Sequence, residues 1–392
     1  MAAPHQSQES QLRQDRRIVL YGLGLILLTG ALLFLPNLVP SSTRQVVSEL
    51  VQARIVSVEP AQSGTQPTAT VVVVGGAQAG MRVNAALQGP SSQLQLPDYR
   101  PGDEVVLSID HQPGAPITYT VVDRWRLPLL EVLAVAFVVV AAGIAGWRGL
   151  RAVVSLVLTV GFTIRLLIPL LLLGWNPVLL AVTFGIAVTA LSLLLTQGAS
   201  RTTLAALVGT GAGLLVTGVL AMLVTAAAQF TSAQGSEEVV TLGQLVGNRI
   251  DLSGLLLAAV IFGGLGVLND VAMSQAATVE ELAAVDPTLR PRELFTRAMN
   301  VGVAHLAATI NTLVFAYLGT ALPLLVILAI QVSAFSVAIN QEVIAVEVVR
   351  TLVGSLGILA AVPFTTAVAA AWQGPEARAM RSPLEVAGDS GG

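Results

Sequence analysis

The chain has 392 residues, of which 54% are hydrophobic and 11% charged, with mean hydropathy +0.78 and a formal net charge of −3. Soluble domains carry roughly a quarter charged residues, so this composition excludes a soluble globule and points to an integral membrane protein. Cysteine and lysine are both absent, all 20 basic residues being arginine, which excludes disulfides, thiolate metal sites, Schiff-base chemistry and a Walker lysine.

Residues 1–17 are polar and carry Arg13, Arg16 and Arg17, and Ile18 to Leu35 is then continuously apolar. That apolar core is too long for a cleaved signal peptide, and Pro36–Pro40 offers no small-residue cleavage site. Residues 18–39 therefore read as a retained transmembrane anchor, with the N-terminus and its arginines in the cytoplasm. Between residues 41 and 124 the pattern changes to short β-rich runs: Gln52–Val58, Thr68–Val74, Met81–Leu87, Asp103–Asp110 and Ile117–Val122. Turn formers such as Gly75-Gly76, Gly89-Pro90 and Pro101-Gly102-Asp103 separate them. This pattern predicts a small β-rich barrel or sandwich outside the membrane, acting either as a rigid spacer or as a docking module.

From Leu127 onward the chain reads as membrane helices. Spans are predicted at Leu127–Trp147, Ala152–Leu173, Val178–Leu195, Thr203–Ala228, Leu252–Asn269, Val301–Leu318, Ala321–Ile339 and Thr351–Trp372. The fold class is thus an α-helical polytopic membrane protein of about eight or nine transmembrane helices, with residues 127–372 as the helical domain. Arginine placement sets the orientation: Arg148, Arg151, Arg201, Arg290, Arg292, Arg297 and Arg350 fall in loops on the cytoplasmic side. Nine crossings would put the polar tail, residues 373–392 with Arg378 and Arg381, outside and disordered. If Ala321–Ile339 dips in and returns, the tail lies inside.

Polar side chains at membrane depth are candidates for function. In GGLGVLNDVAMS, Asp270 follows a stretch already long enough to cross, so it is placed at the inner edge of the bilayer. On a continuing helix Asp270, Ser274, Thr278 and Glu281 form one flank, either a functional stripe or a solvated connector. In VGVAHLAATINTLVFAYLG, His305, Thr309 and Thr312 share a face while Asn311 projects from another. An imidazole suits proton coupling, and a hydrogen bond to a neighbouring helix is the plainer role. Asn340, Gln341, Glu342, Glu347 and Arg350 precede the last span, with Glu347 and Arg350 spaced to pair. Arg165 either snorkels outward or faces a cavity. No nucleophile–base set, HExxH or GxSxG motif is legible, and His5 and His111 lie outside the helical domain. No enzyme, cofactor or metal site is therefore expected, and no basic block suggests nucleic acid.

Four stretches together resemble the YibE/F-like membrane proteins: WRGLRAVVSLVLTVGFTIRLLIPLLLLGWNP, GGLGVLNDVAMSQAATVEEL, HLAATINTLVFAYLGTALPLLV and NQEVIAVEVVRTLVGSLGILAAVPFTT. The resemblance implies a multi-pass protein of the bacterial cytoplasmic membrane, transporter-like and without an assigned substrate. It implies polar positions at Asp270, His305, Thr309, Asn311, Thr312, Tyr317, Glu342 and Glu347. Two departures stand out: Val303-Ala304 replaces an Arg-Asp step, and Asn269 stands where an acid can occur. The functional expectation is a permease for a small solute or ion, with proton coupling through Asp270 or His305. The alternative is a non-transporting scaffold whose β domain docks an envelope protein.

Overall fold

A computed structural model describes residues 48–59, 67–87, 98–111, 116–230, 237–331 and 335–374. The anticipated anchor at 18–39 and the tail beyond Gly374 lie outside the described residues. The chain divides into two compact units, one reaching from the β-rich region to Gly149 and the other beginning at Leu150.

The first unit contains strands β1 (Ser48–Glu59), β2 (Thr68–Val73), β3 (Arg82–Leu87), β4 (Glu104–Asp110) and β5 (Thr118–Arg124). Alternation places Val51, Ala53 and Ile55 of β1, Ala69, Val71 and Val73 of β2, and Val105, Leu107 and Ile109 of β4 in one core. The sheet closes in the order β1-β2-β3-β5-β4, so it is a barrel and not a sandwich. All pairings are antiparallel except β3 with β5, where Ala86 meets Thr120 and Leu87 meets Val121. This is a five-stranded Greek-key barrel of the OB type, and closure leaves no long free edge. Arg54 pairs with Glu104 at 2.8 Å, holding that carboxyl below the usual carboxylate range. Near the exit from β5, Arg124 lies 5.6 Å from the centre of the Tyr99 ring and Arg126 pairs with Asp123 at 2.7 Å. Trp125 N–H donates to the Glu104 carbonyl at 2.9 Å, tying the start of the following helix to β4.

That helix, α1 (Leu127–Phe162), is interrupted at Gly146, whose φ of 56° is left-handed. A side chain at Gly149 would collide with the Ala141 carbonyl. The break falls where the Trp147–Arg151 loop was anticipated.

In the second unit a π-helical turn (Thr163–Leu167) precedes α2 (Ile168–Leu172). Pro169 lacks an N–H, and its ring displaces the carbonyl four residues earlier, which a widened turn accommodates. There follow α3 (Pro177–Thr196), α4 (Arg201–Ala228), α5 (Glu237–Val246), α6 (Leu252–Val285), α7 (Pro291–Gln331), α8 (Phe335–Ile339) and α9 (Glu342–Gln373). Asn176, Ser200 and Asp251 cap α3, α4 and α6 by accepting from the N–H three residues on. Helices α4 and α9 run antiparallel: Gly209 meets Thr365, and a Cβ on Gly213 would sit 2.9 Å from the Gly357 carbonyl oxygen. Helices α6 and α9 run parallel, Gly264 lying beside Gly354 and Gln275 beside Thr366. Such small residues let backbones approach in a medium that gives helices no hydrophobic reason to associate.

Among the described residues six segments are long and apolar enough to cross a membrane, fewer than the eight or nine anticipated. One reason is that Leu127–Leu172 counts as one segment despite its break at Gly146. Another is a genuine correction: Val301–Leu318 and Ala321–Ile339 are not two spans. Helix α7 runs without interruption through Gly319, Thr320 and Pro323 to Gln331, and Thr320 returns its hydroxyl to the Tyr317 carbonyl instead of opening a turn. Its 41 residues extend about 60 Å at 1.5 Å per residue. Helix α9 ends beside Arg201, which donates to the Trp372 carbonyl at 3.2 Å. The same end of the bundle holds Glu280 and the α6–α7 turn.

Candidate functional site

The side chains singled out at membrane depth do not converge on one site. They divide into an inner group and an outer group.

The inner group forms where α7 and α9 meet α6. Arg350 donates from Nη1 to Glu347 Oε1 at 2.7 Å, the i,i+3 pair anticipated from spacing. The two side chains are 21% and 25% exposed. Tyr317 projects from α7 onto the bare backbone of Gly263, and a Cβ on Gly354 would lie 4.0 Å from its hydroxyl. Gly354 lies one helical turn beyond Arg350 on α9, which sets Tyr317 close to the pair. Three of the atoms here, Tyr317 OH, Glu347 Oε2 and Arg350 Nε, are buried with no hydrogen-bond partner among the described residues. A buried polar group without a partner costs on the order of 1–3 kcal/mol. The cluster is therefore chemically incomplete, holding one phenol, one carboxylate oxygen and one guanidinium N–H available to a small polar guest. Glu342 sits one turn earlier, in the first turn of α9.

A second buried node lay outside sequence reasoning. Gln275 is 4% exposed and donates from Nε2 to the Ala298 carbonyl at 3.0 Å and to Thr366 Oγ1 at 2.8 Å. A Cβ on Gly302 would come within 2.6 Å of its Oε1. This one amide links α6, α7 and α9 through both bonds of its Nε2, which marks a structural clamp. Its signal was present: Gln275 falls on the same flank as Ala272 and Val279, the buried side of α6. Thr202 likewise donates to Glu280 Oε2 at 2.6 Å, joining α4 to α6.

The outer group is exposed. Asp270 and Ser274 of α6, and His305, Asn311 and Thr312 of α7, all lie on the open side of their helices. Thr309 alone turns inward, its hydroxyl donating to the His305 carbonyl at 3.0 Å. Asp270 is also not at a helix end: α6 continues to Val285, so any stretch of about 20 residues drawn across it includes Asp270. The continuing helix anticipated beyond Asn269 is thus present, and a crossing that starts at Leu252 keeps Asp270 in its last turn.

Residues 133–374, well over half of the chain, match the model of the YibE/F-like protein family. The chain belongs to that family. No curated protein and no solved structure matches it. The YibE/F-like region begins within α1 and ends with α9, so the barrel lies outside it and both polar groups lie inside it. Among the positions that the resemblance implied, Tyr317 and Glu347 fall in the inner group. Asp270, His305, Asn311 and Thr312 fall in the outer one. Among the described residues no group of His, Asp and Glu is arranged to hold a metal.

Proposed function

We propose that this YibE/F-like protein is a permease for a small polar solute or ion, with Tyr317, Glu347 and Arg350 as the groups that meet the cargo. The observation behind this reading is the incomplete inner cluster: three buried polar atoms from two helices without partners among the described residues, with Tyr317 set against Gly263 and Gly354. Membrane proteins keep such groups where cargo or water can satisfy them. The Glu347–Arg350 pair is neutral as a unit, so a guest can exchange for either partner without leaving a bare charge. Proton coupling, if present, falls to Glu347 in preference to Asp270 or His305, because those two face away from the bundle. By the arginine rule the end carrying Arg201, Arg290, Arg292 and Arg297 is cytoplasmic, and Arg350, near the opposite end of α9, is then on the outer side and not in the cytoplasmic loop expected for it. The C-terminal tail then lies inside, in the cytoplasmic membrane of a bacterium.

The test uses proteoliposomes containing the full chain and a trapped pH-sensitive dye, given an imposed pH gradient and individual small solutes. Solute-dependent dye response should fall at least tenfold in Glu347→Gln and in Tyr317→Phe, and persist in Asp270→Asn. A response lost only in Asp270→Asn would move the site to the outer group, and no response to any solute would count against transport.

A second reading rests on the barrel, which has its own core and lies outside the family match. A scaffold docking an envelope partner through that barrel would lose the partner on deletion of residues 44–122, whereas a self-contained permease would keep its flux.

A further inference from the structure

The open face of α6 and α7 carries a combination that lipid cannot satisfy. Asp270, Ser274, His305 and Asn311 are exposed there, and none of their side chains has a hydrogen bond or ion pair among the described residues. Every 20-residue crossing of α6 includes Asp270, and once Arg297 is kept out of the hydrocarbon every such crossing of α7 includes Thr312. Ionisable side chains within a crossing face protein or a water-filled space, because exposing a carboxylate to hydrocarbon is costly. Lipid alone does not meet this face.

Register says what fits. Helix α6 meets α7 antiparallel, with Gln275 touching Ala298 and Gly302 at one level and Gly263 touching Tyr317 at another. Between those two contacts, Asp270 lies level with the stretch from Val303 to Ile310, which includes His305. An acceptor carboxylate and a donor imidazole therefore share one depth, each on the exposed side of its helix. Two copies inserted in the same orientation are related by an axis along the membrane normal, so each residue meets the partner's residues at its own depth. Asp270 of one copy then faces His305 of the other, and the reverse, in an isologous pair. The helix surface suits this as well: Ala304, Ala308 and Thr312 recur every four residues on the exposed side of α7, the small-residue spacing that permits close helix crossing.

We propose that the α6–α7 face is the interface of a homodimer, closed by reciprocal Asp270–His305 hydrogen bonds over an Ala304–Ala308–Thr312 seam. The occupant is a second copy of this chain, because the face complements itself. A lipid would leave both the acid and the imidazole unmet.

The chain has no cysteine, so single-cysteine variants of the full protein can be oxidised in native membranes without background. Ala304→Cys and Ala308→Cys should each give a disulfide-linked species of twice the monomer mass, containing both tags when two differently tagged copies are co-expressed. Leu215→Cys, on the exposed side of α4, should not. Asp270→His alone and His305→Asp alone should each lower the Ala308→Cys cross-linked fraction at least threefold. The double exchange should restore it, a rescue that a merely misfolded variant would not show. Three outcomes would overturn the proposal. One is cross-linking no greater than at Leu215→Cys, and another is an adduct carrying one tag and a foreign protein. The third is an intramolecular disulfide of Gly24→Cys with Ala308→Cys in place of a dimer, which would make the chain's own first apolar segment the cover.

Discussion

Ile55, Val71, Leu107 and Ile109 fill the barrel, whereas helices in the bundle meet through small residues, as Gly209 with Thr365 and Gly213 with Gly357 do. The difference follows from solvent. In water, taking large apolar side chains out of contact with solvent drives folding, at about 25 cal/mol per Å². Between helices in lipid that gain is absent, because the acyl chains are as apolar as leucine. The bundle gains instead from close backbone contact and from a few buried hydrogen bonds, such as those of Gln275 and Thr202. Its hydroxyls follow the same logic: Thr217, Thr365, Thr366 and Ser355 each donate to the carbonyl four residues earlier. In the barrel, charged side chains pair on the outside, as Arg54 with Glu104 and Arg126 with Asp123 do.

The two units should therefore fail in opposite ways. Removing volume should harm the barrel: Ile55→Ala leaves a cavity at a side chain 1% exposed and should cost about 4 kcal/mol. Adding volume should harm the bundle, with Gly213→Leu costing about 3 kcal/mol by pushing α4 off α9. Urea-dependent proteolysis of the full chain in detergent, with fragments mapped to residues 48–124 or 150–374, separates the two losses. The contrast breaks if Gly213→Leu leaves the bundle's protection unchanged.

The same contrast explains what could be read from the sequence. Barrel strands announce themselves as short β-rich runs between turn formers, and that pattern located all five. Membrane helices are apolar on every side, and the pattern says where a helix is without saying which side is buried. Asp270 and Gln275 are five residues apart and equally polar; only packing shows that the first faces out and the second clamps three helices. The division of residues 301–339 into two spans failed for a related reason. Gly319 and Thr320 resemble a turn on sequence grounds, yet neither breaks α7, since the Thr320 hydroxyl is absorbed by the helix itself. Glu347 with Arg350 was legible because i,i+3 spacing is local. Its neighbour Tyr317 was named by family resemblance alone, because the contact with Gly263 is a matter of tertiary structure.

A smaller effect tests the polar side of the bundle. Gln275→Leu keeps the approximate volume and removes both hydrogen bonds, so it isolates the clamp from packing. Buried side-chain hydrogen bonds between membrane helices are worth about 1 kcal/mol or less, and the loss should appear as a modest drop in the thermal midpoint of the purified protein. A drop as large as that of Gly213→Leu would mean that hydrogen bonding, and not close approach, holds α6, α7 and α9 together.

The smallest effect belongs to the barrel surface and depends on pH. Arg54 holds the Glu104 carboxyl below its usual value, chiefly through their hydrogen bond. A carboxyl with a depressed folded pKa contributes stability above the unfolded carboxylate pKa of about 4.3, and that contribution disappears as pH falls through the folded value. Arg54→Gln should therefore lower the barrel's thermal midpoint slightly at pH 7 and have no effect once the solution is acid enough to protonate Glu104 in the wild type. Salt should shrink the pH 7 difference, because Arg54 is largely exposed and exposed pairs are screened. Protease protection of residues 48–124 during heating, read at pH 7 and pH 3 with and without salt, follows both dependences. A difference that grows toward pH 3 would show that Arg54 stabilises the barrel by packing along β1 and not by its charge.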